Sequence, residues 1–183
     1  MRTCVALLAA VVLAGCATGG QQLVVPVDAA AIAGPAAGAA RATKLEVADI
    51  RQVIRMERTT VGAVSMGRIV LQPQEADLVR ALVGSRLDAA LARHGGAAPE
   101  SVYCGIRVFD IITPATALYW DVTAKVELLL RVRGSERVVS GSATERTYAW
   151  PSEEIIARAT TGALRQAAAE LDKAFAELLA GPR

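Results

Sequence analysis

The chain is poor in the side chains that carry chemistry. Among 183 residues there is one histidine, His94, three cysteines, and only 4% aromatic residues. Lysine is confined to Lys44, Lys125 and Lys173, so arginine supplies nearly all the positive charge. The formal net charge is +2, with no run of like charges. Each scarcity excludes something. A near-neutral chain without a basic patch or aromatic platforms is no nucleic-acid binder. One histidine cannot supply an imidazole cluster for a metal. The carboxylates Asp110, Asp121, Glu127 and Glu145 are scattered, without the spacing of a calcium loop. No glycine-rich phosphate loop follows a strand, and no Gly-x-Ser-x-Gly is present.

The cysteines separate by position. Cys4 lies in an unbroken apolar run from Cys4 to Leu13, behind Arg2. That run is too short to cross a bilayer, which takes ~20 apolar residues. A basic start, a short apolar middle and small residues after it make a secretory signal. Cys16 closes the segment Leu13-Ala14-Gly15-Cys16. Cys104 remains alone, so no intramolecular disulfide framework is expected. A Cys104–His94 pair is the one thiol–imidazole combination available. Cys104 falls in register with the apolar side of a strand, however, where a free cysteine behaves as a small hydrophobe.

Leu13-Ala14-Gly15-Cys16 resembles the lipobox of bacterial lipoproteins. The resemblance implies cleavage after residue 15 and acylation of Cys16, which becomes the first mature residue. Two or more acyl chains anchor a protein stably. Ala17, where an aspartate would retain the protein at the inner membrane, implies the periplasmic face of the outer membrane. Loss of residues 1–15 removes Arg2 and no acid, leaving a side-chain charge of +1. Residues 16–43 carry almost no charge and no sustained period. They read as the lipidated cysteine and a flexible tether spanning roughly 25–30 Å; Gln21–Val27 could be a short strand, but Gly19-Gly20 and Gly34-Pro35 favour a linker.

Residues 44–183 read as one domain. A β-rich stretch runs from Lys44 to about Met56. Residues 57–72 are ambiguous, with a loop near Gly62 and an extended piece at Arg68–Leu71. Pro73 opens a helix whose stripe includes Leu78, Val79, Leu82, Val83 and Leu87, ending at His94. Three strands follow. Val102, Cys104, Ile106 and Val108 share one face of the first. From Leu118 to Val132 apolar and polar residues alternate almost without exception, and Arg137–Trp150 returns as a more polar strand. Membrane insertion of this hairpin is disfavoured because the returning strand has no apolar row. Ser152 caps a last helix, with Glu153 and Glu154 in its first turn. The expectation is an α+β domain: an antiparallel or mixed sheet of about four strands with two helices packed on one face, a two-layer sandwich.

The "VADIR" strand with Asp49 and Arg51, Gly62 after it, the helix ending in "ARHGG" and the long "LYWDVTAKVELLLRV" strand resemble the YajG-type family of bacterial lipoproteins. That resemblance implies location and fold rather than mechanism. Catalytic, cofactor-binding and metal residues are expected to be none. Tyr103, Phe109 and Tyr119 would share the outer sheet face as a partner surface. The partners expected are membrane lipid, through acylated Cys16, and an envelope protein, with self-assembly an option. The function implied is a non-enzymatic, membrane-anchored periplasmic lipoprotein supporting another envelope component. The alternative is an auxiliary or pore-ring subunit of an export or lipid-transport system.

Overall fold

The structure, a computed structural model, describes residues 21–34, 43–94 and 97–180, with the backbone alone for His94. The signal segment and Cys16 lie outside the described residues. The elements in order are β1 (Leu23–Pro26), α1 (Ala29–Ala33), β2 (Lys44–Asp49), β3 (Met56–Thr59), β4 (Ser65–Gln72), α2 (Glu75–His94), β5 (Ser101–Thr113), β6 (Trp120–Val132), β7 (Ser135–Thr147) and α3 (Glu153–Ala180).

The expected four-stranded, two-helix sandwich is not what forms. Among the described residues the sheet has seven strands, is mixed and unclosed, and is accompanied by three helices. Its order is β1-β4-β3-β5-β6-β7, with β2 also paired to β5. Three departures make the difference. The β-rich stretch read from Lys44 to about Met56 is a strand only as far as Asp49, in β2, and β3 begins at Met56. The ambiguous residues 57–72 form the β3–β4 hairpin, whose turn is tight: Thr60 N–H donates to Val64 O at 2.9 Å. Gly62 and Ala63 both take positive φ there, which favours glycine at the first and strains the second.

The third departure lies in the segment read as tether. Leu23–Pro26 pairs in parallel with Ile69–Gln72. Asp28 then caps α1, its Oδ1 accepting from Ala30 and Ala31 N–H at 2.9 and 3.1 Å. Val25, Val27 and Ile32 are buried in the common core. A helix of five residues is not stable alone. Burial of Ile32 and packing against α2 hold it in place.

In β6 the expected alternation holds from Val122 to Val132, whereas Leu118, read as part of the same apolar row, is 77% exposed ahead of the strand. Val122, Ala124, Val126, Leu128, Leu130 and Val132 are buried under the helices. Ile155 N–H donates to Ser152 Oγ at 3.5 Å at the head of α3, as the cap requires. From there α3 crosses β7, β6 and β1, while α2 packs on α3, β2 and β5. The fit of α3 on β7 depends on small residues. A Cβ on Gly141 would lie 2.1 Å from Ala163 O and 2.6 Å from Ala167 N. A Cβ on Gly162 would lie 2.8 Å from Ala143 Cβ. The helix therefore rests almost on the backbone of β7.

That contact yields a prediction. Backbone atoms cannot rotate out of the way, so Gly141→Ala is expected to cost about 1–3 kcal/mol as overpacking. Ser140→Ala, on the exposed side of the same strand, should stay within about 0.5 kcal/mol. Urea unfolding of both variants checks this.

Candidate functional site

One side of β5 pairs with β6 along most of its length. The other side is shared. β2 pairs in parallel with Ser101–Ile106, and β3 pairs in parallel with Ile111–Thr113. Between them the chain leaves β5 after Ile50 N–H donates to Ile106 O, and returns where Ile111 N–H donates to Arg55 O. The gap leaves the middle of β5 without a strand partner on that side. Arg51 fills it. Its Nη1 donates to Phe109 O at 3.3 Å. Its Nε and Nη2 donate to the Asp49 carboxylate at 2.9 and 2.6 Å, a two-point pair. The Arg51 side chain is only 6% exposed. Hydrogen bonds from Arg51 hold the Asp49 carboxyl below its ordinary value, against a smaller opposing effect of burial.

A β-bulge sits at the same place. Ile106 pairs with Leu128, but Val108 pairs with Glu127, so Arg107 is the extra residue. One inserted residue exchanges the two faces for everything beyond it. The expected partner surface is corrected accordingly. Phe109 does not share the outer face; it is fully buried in the core, with Ile111 and Thr113. Val108, expected inside, is half-exposed.

Tyr103 and Tyr119 do stay on the partly exposed side, but the structure does not bring them together. Tyr103 is opposite Arg131, whose guanidinium stands 5.5 Å over its ring. Tyr119 is at the far end of β6, under the Arg146 guanidinium at 4.0 Å and edge-on to Tyr148. Twelve strand residues separate the two rows, roughly 40 Å at ~3.3 Å each. They are not one recognition patch.

What the fold assembles instead is a shallow groove of about 530 Å³ on the open face, beside the bulge. Ile50, Val53 and Arg55 from the crossing segment line one side, and Arg107, Asp110 and Lys125 the other. Ile50 folds over Gly105, where a Cβ would meet Ile50 Cδ1 at 2.7 Å. Arg107 is paired with Glu127 at 3.2 Å. Mixed, partly paired charges over an open floor suit a polar contact surface better than an enclosed reaction site. Strand alternation alone could not have found this groove, because both the bulge and the crossing segment break the alternation.

The remaining candidates resolve simply. Cys104 is fully buried, and burial pushes its thiol up to about 12, which removes the thiolate a nucleophile needs. Asp110 and Glu127 both line the groove, but with Asp121 and Glu145 they form no group of three or more able to hold a metal among the described residues. Asp121 is instead paired with Arg146 at 2.8 Å. No helix among the described residues is long and apolar enough to cross a membrane.

No family model matches the chain, and neither does any curated protein. The resemblance to YajG-type lipoproteins thus gains no support from a family match. Among solved structures, one of an uncharacterized protein covers 86% of this chain and 99% of its own, at 9% identity and a TM-score of 0.45. Another, described as a lipoprotein from Caulobacter crescentus CB15, covers 55% of this chain and 82% of its own, at 20% identity and a TM-score of 0.36. Neither similarity is close enough to carry a function across.

The Asp49–Arg51 pair makes a pH prediction. A carboxyl depressed in the folded state stabilises fully above its unfolded value of about 3.9, and that contribution disappears as pH falls through the lower folded value. Wild type should therefore lose more stability than Asp49→Asn between neutral pH and about pH 3. Arg51→Ala should cost roughly 1–3 kcal/mol at neutral pH by stripping Phe109 O of its partner. Urea unfolding at the two pH values reads both effects.

Proposed function

We propose that the protein is a lipid-anchored, non-enzymatic lipoprotein of the bacterial envelope, held by acylated Cys16 on the periplasmic face of the outer membrane. The observation that carries this reading is the Leu13-Ala14-Gly15-Cys16 segment behind an apolar run. A second supports it. The folded domain begins within seven residues of Cys16, since Leu23–Pro26 is already a strand of the sheet. An anchor there joins the domain almost directly. Its task is to bind or support another envelope component, and the open-face groove around Arg55, Arg107 and Lys125 is the contact surface best suited to that. The unspent thiol of Cys104 and the paired carboxylates favour binding over catalysis.

The second reading, an auxiliary or ring subunit of an export or lipid-transport system, draws on one feature. β7 is a thirteen-residue strand at the end of the sheet order. Such an edge offers a row of backbone groups to a neighbouring subunit.

The anchor is tested by expressing the full chain in a Gram-negative host. Intact-mass measurement should find a chain beginning at an acylated Cys16. Cys16→Ala should lose the lipid mass and move from the membrane to the soluble fraction. A wild-type chain that keeps residues 1–15 and no lipid would refute the reading.

A further inference from the structure

The end of the domain where the chain enters it is also where apolar side chains stand out into solvent. β1 runs parallel to β4, so the chain arrives from the β3–β4 turn. Gln21 fixes the place: its carbonyl oxygen would lie 2.0 Å from a Cβ on Gly67, which pairs with Arg58. Three connections project past that row: the β3–β4 turn, the β5–β6 connection and the start of the β7–α3 connection. They present Val61 and Val64, at 58% and 60% exposed, and Leu118 and Tyr148, each 77% exposed. Trp150 stands beside them, edge-on to Trp120.

These side chains are held out rather than left loose. Thr116 Oγ1 accepts from the Leu118 and Tyr119 N–H groups and donates to Tyr119 O, closing the turn that carries Leu118. The Trp120 indole donates to Thr59 O at 3.2 Å, tying the β5–β6 connection to the β3–β4 hairpin. Arg58 lies over Trp150 at 5.5 Å. Two of the arginines near this end are ion-paired, Arg146 with Asp121 and Arg158 with Glu145 and Glu154, and Arg58 is buried against the Trp150 ring. Tyrosine and tryptophan among aliphatics, with arginine behind them, are the composition of a membrane-interface contact.

Chain length fixes what covers this surface. Five residue steps from Cys16 to Gln21 reach at most about 18 Å. The opposite end of the sheet, at the β6–β7 turn, is roughly 33 Å further along the strands. We propose that the domain docks on the bilayer that holds its own acyl chains, with Val61, Val64, Leu118, Tyr148 and Trp150 in the lipid interface and the β6–β7 turn pointing away. This rests on acylation of Cys16. It replaces a freely swinging domain with an oriented one, and presents the open-face groove and the β7 edge sideways to partners in the membrane plane.

The test uses the full, acylated chain carrying Leu118→Cys or Tyr148→Cys at the tip, or Ser135→Cys at the far turn, each labelled with an environment-sensitive fluorophore. Acylation blocks Cys16, and buried Cys104 does not react. The proteins are placed in phosphatidylethanolamine–phosphatidylglycerol vesicles with and without spin-labelled lipid. The tip labels should shift to the blue and be quenched several-fold more than the label at residue 135. Equal, water-like signals from all three sites, with mass measurement confirming lipid on Cys16, would overturn the docking and leave the anchor intact. Equal quenching at all three would overturn the orientation. An unmodified Cys16 would overturn both anchor and docking.

Discussion

The structure depends on how the middle of β5 is satisfied. β5 is the strand on which the others are assembled: β6 lies along one edge, and β2 and β3 divide the other. Dividing an edge leaves backbone groups that have no strand to pair with, and an unmet carbonyl in a packed sheet is costly. Arg51 meets the need. Five donors on a planar fork let one guanidinium hold Asp49 at two points and still reach Phe109 O. A lysine could not do this. The pair therefore locks β2 to the turn that follows it, and that turn to the centre of β5. The crossing segment from Ile50 to Arg55 is then free to bulge over the open face, and the groove exists because it does.

The same region explains what sequence reading could and could not see. The alternation from Val122 to Val132 was fully legible, since an uninterrupted strand in a half-covered sheet must repeat every second residue. Both long helices were legible for the same kind of reason, as was the Ser152 cap. Phe109 was not. Its misplacement follows from a single inserted residue at Arg107, and nothing in "GIRVFD" marks a bulge except that Ile106 and Phe109 are the larger apolar residues. β1 was only an option over Gln21–Val27, set aside for a linker, and α1 was missed. Four and five residues are too few to show a period, and their stability comes from partners distant in sequence: β4 for the strand, α2 for the helix. Asp49 and Arg51 stood out in the sequence only as part of a resemblance. Their role became visible once the gap in β5 was known.

Small residues control the opposite side of the sheet. α3 is rich in alanine, and Gly141, Ala143, Gly162 and Ala163 let it sit nearly on the β7 backbone. Close approach compensates for modest side chains, because dispersion contacts accumulate only at short range. It also means that β7 is clamped on one face, while among the described residues no strand pairs with its outer edge, where Ser142 N–H donates to Gln166 Oε1 at 2.8 Å. A clamped edge strand is better suited to adding a neighbour than a mobile one, since less order must be imposed on association.

The early start of the folded domain changes what the proposed lipid anchor at Cys16 would do. A long tether would let the domain sample a hemisphere and meet partners at any depth. With a strand already formed at Leu23, such an anchor would act through a short lever, and the domain's attitude toward the bilayer would become a structural property. Effective concentration then works through orientation as well as distance: surfaces facing along the membrane gain, and those facing away do not. The open-face groove and the β7 edge both run along the sides of the sheet rather than across its ends. A domain standing on its apolar tip would offer them to envelope components at a fixed height above the lipid, and this geometry, more than any single side chain, separates a supporting subunit from a freely diffusing periplasmic protein.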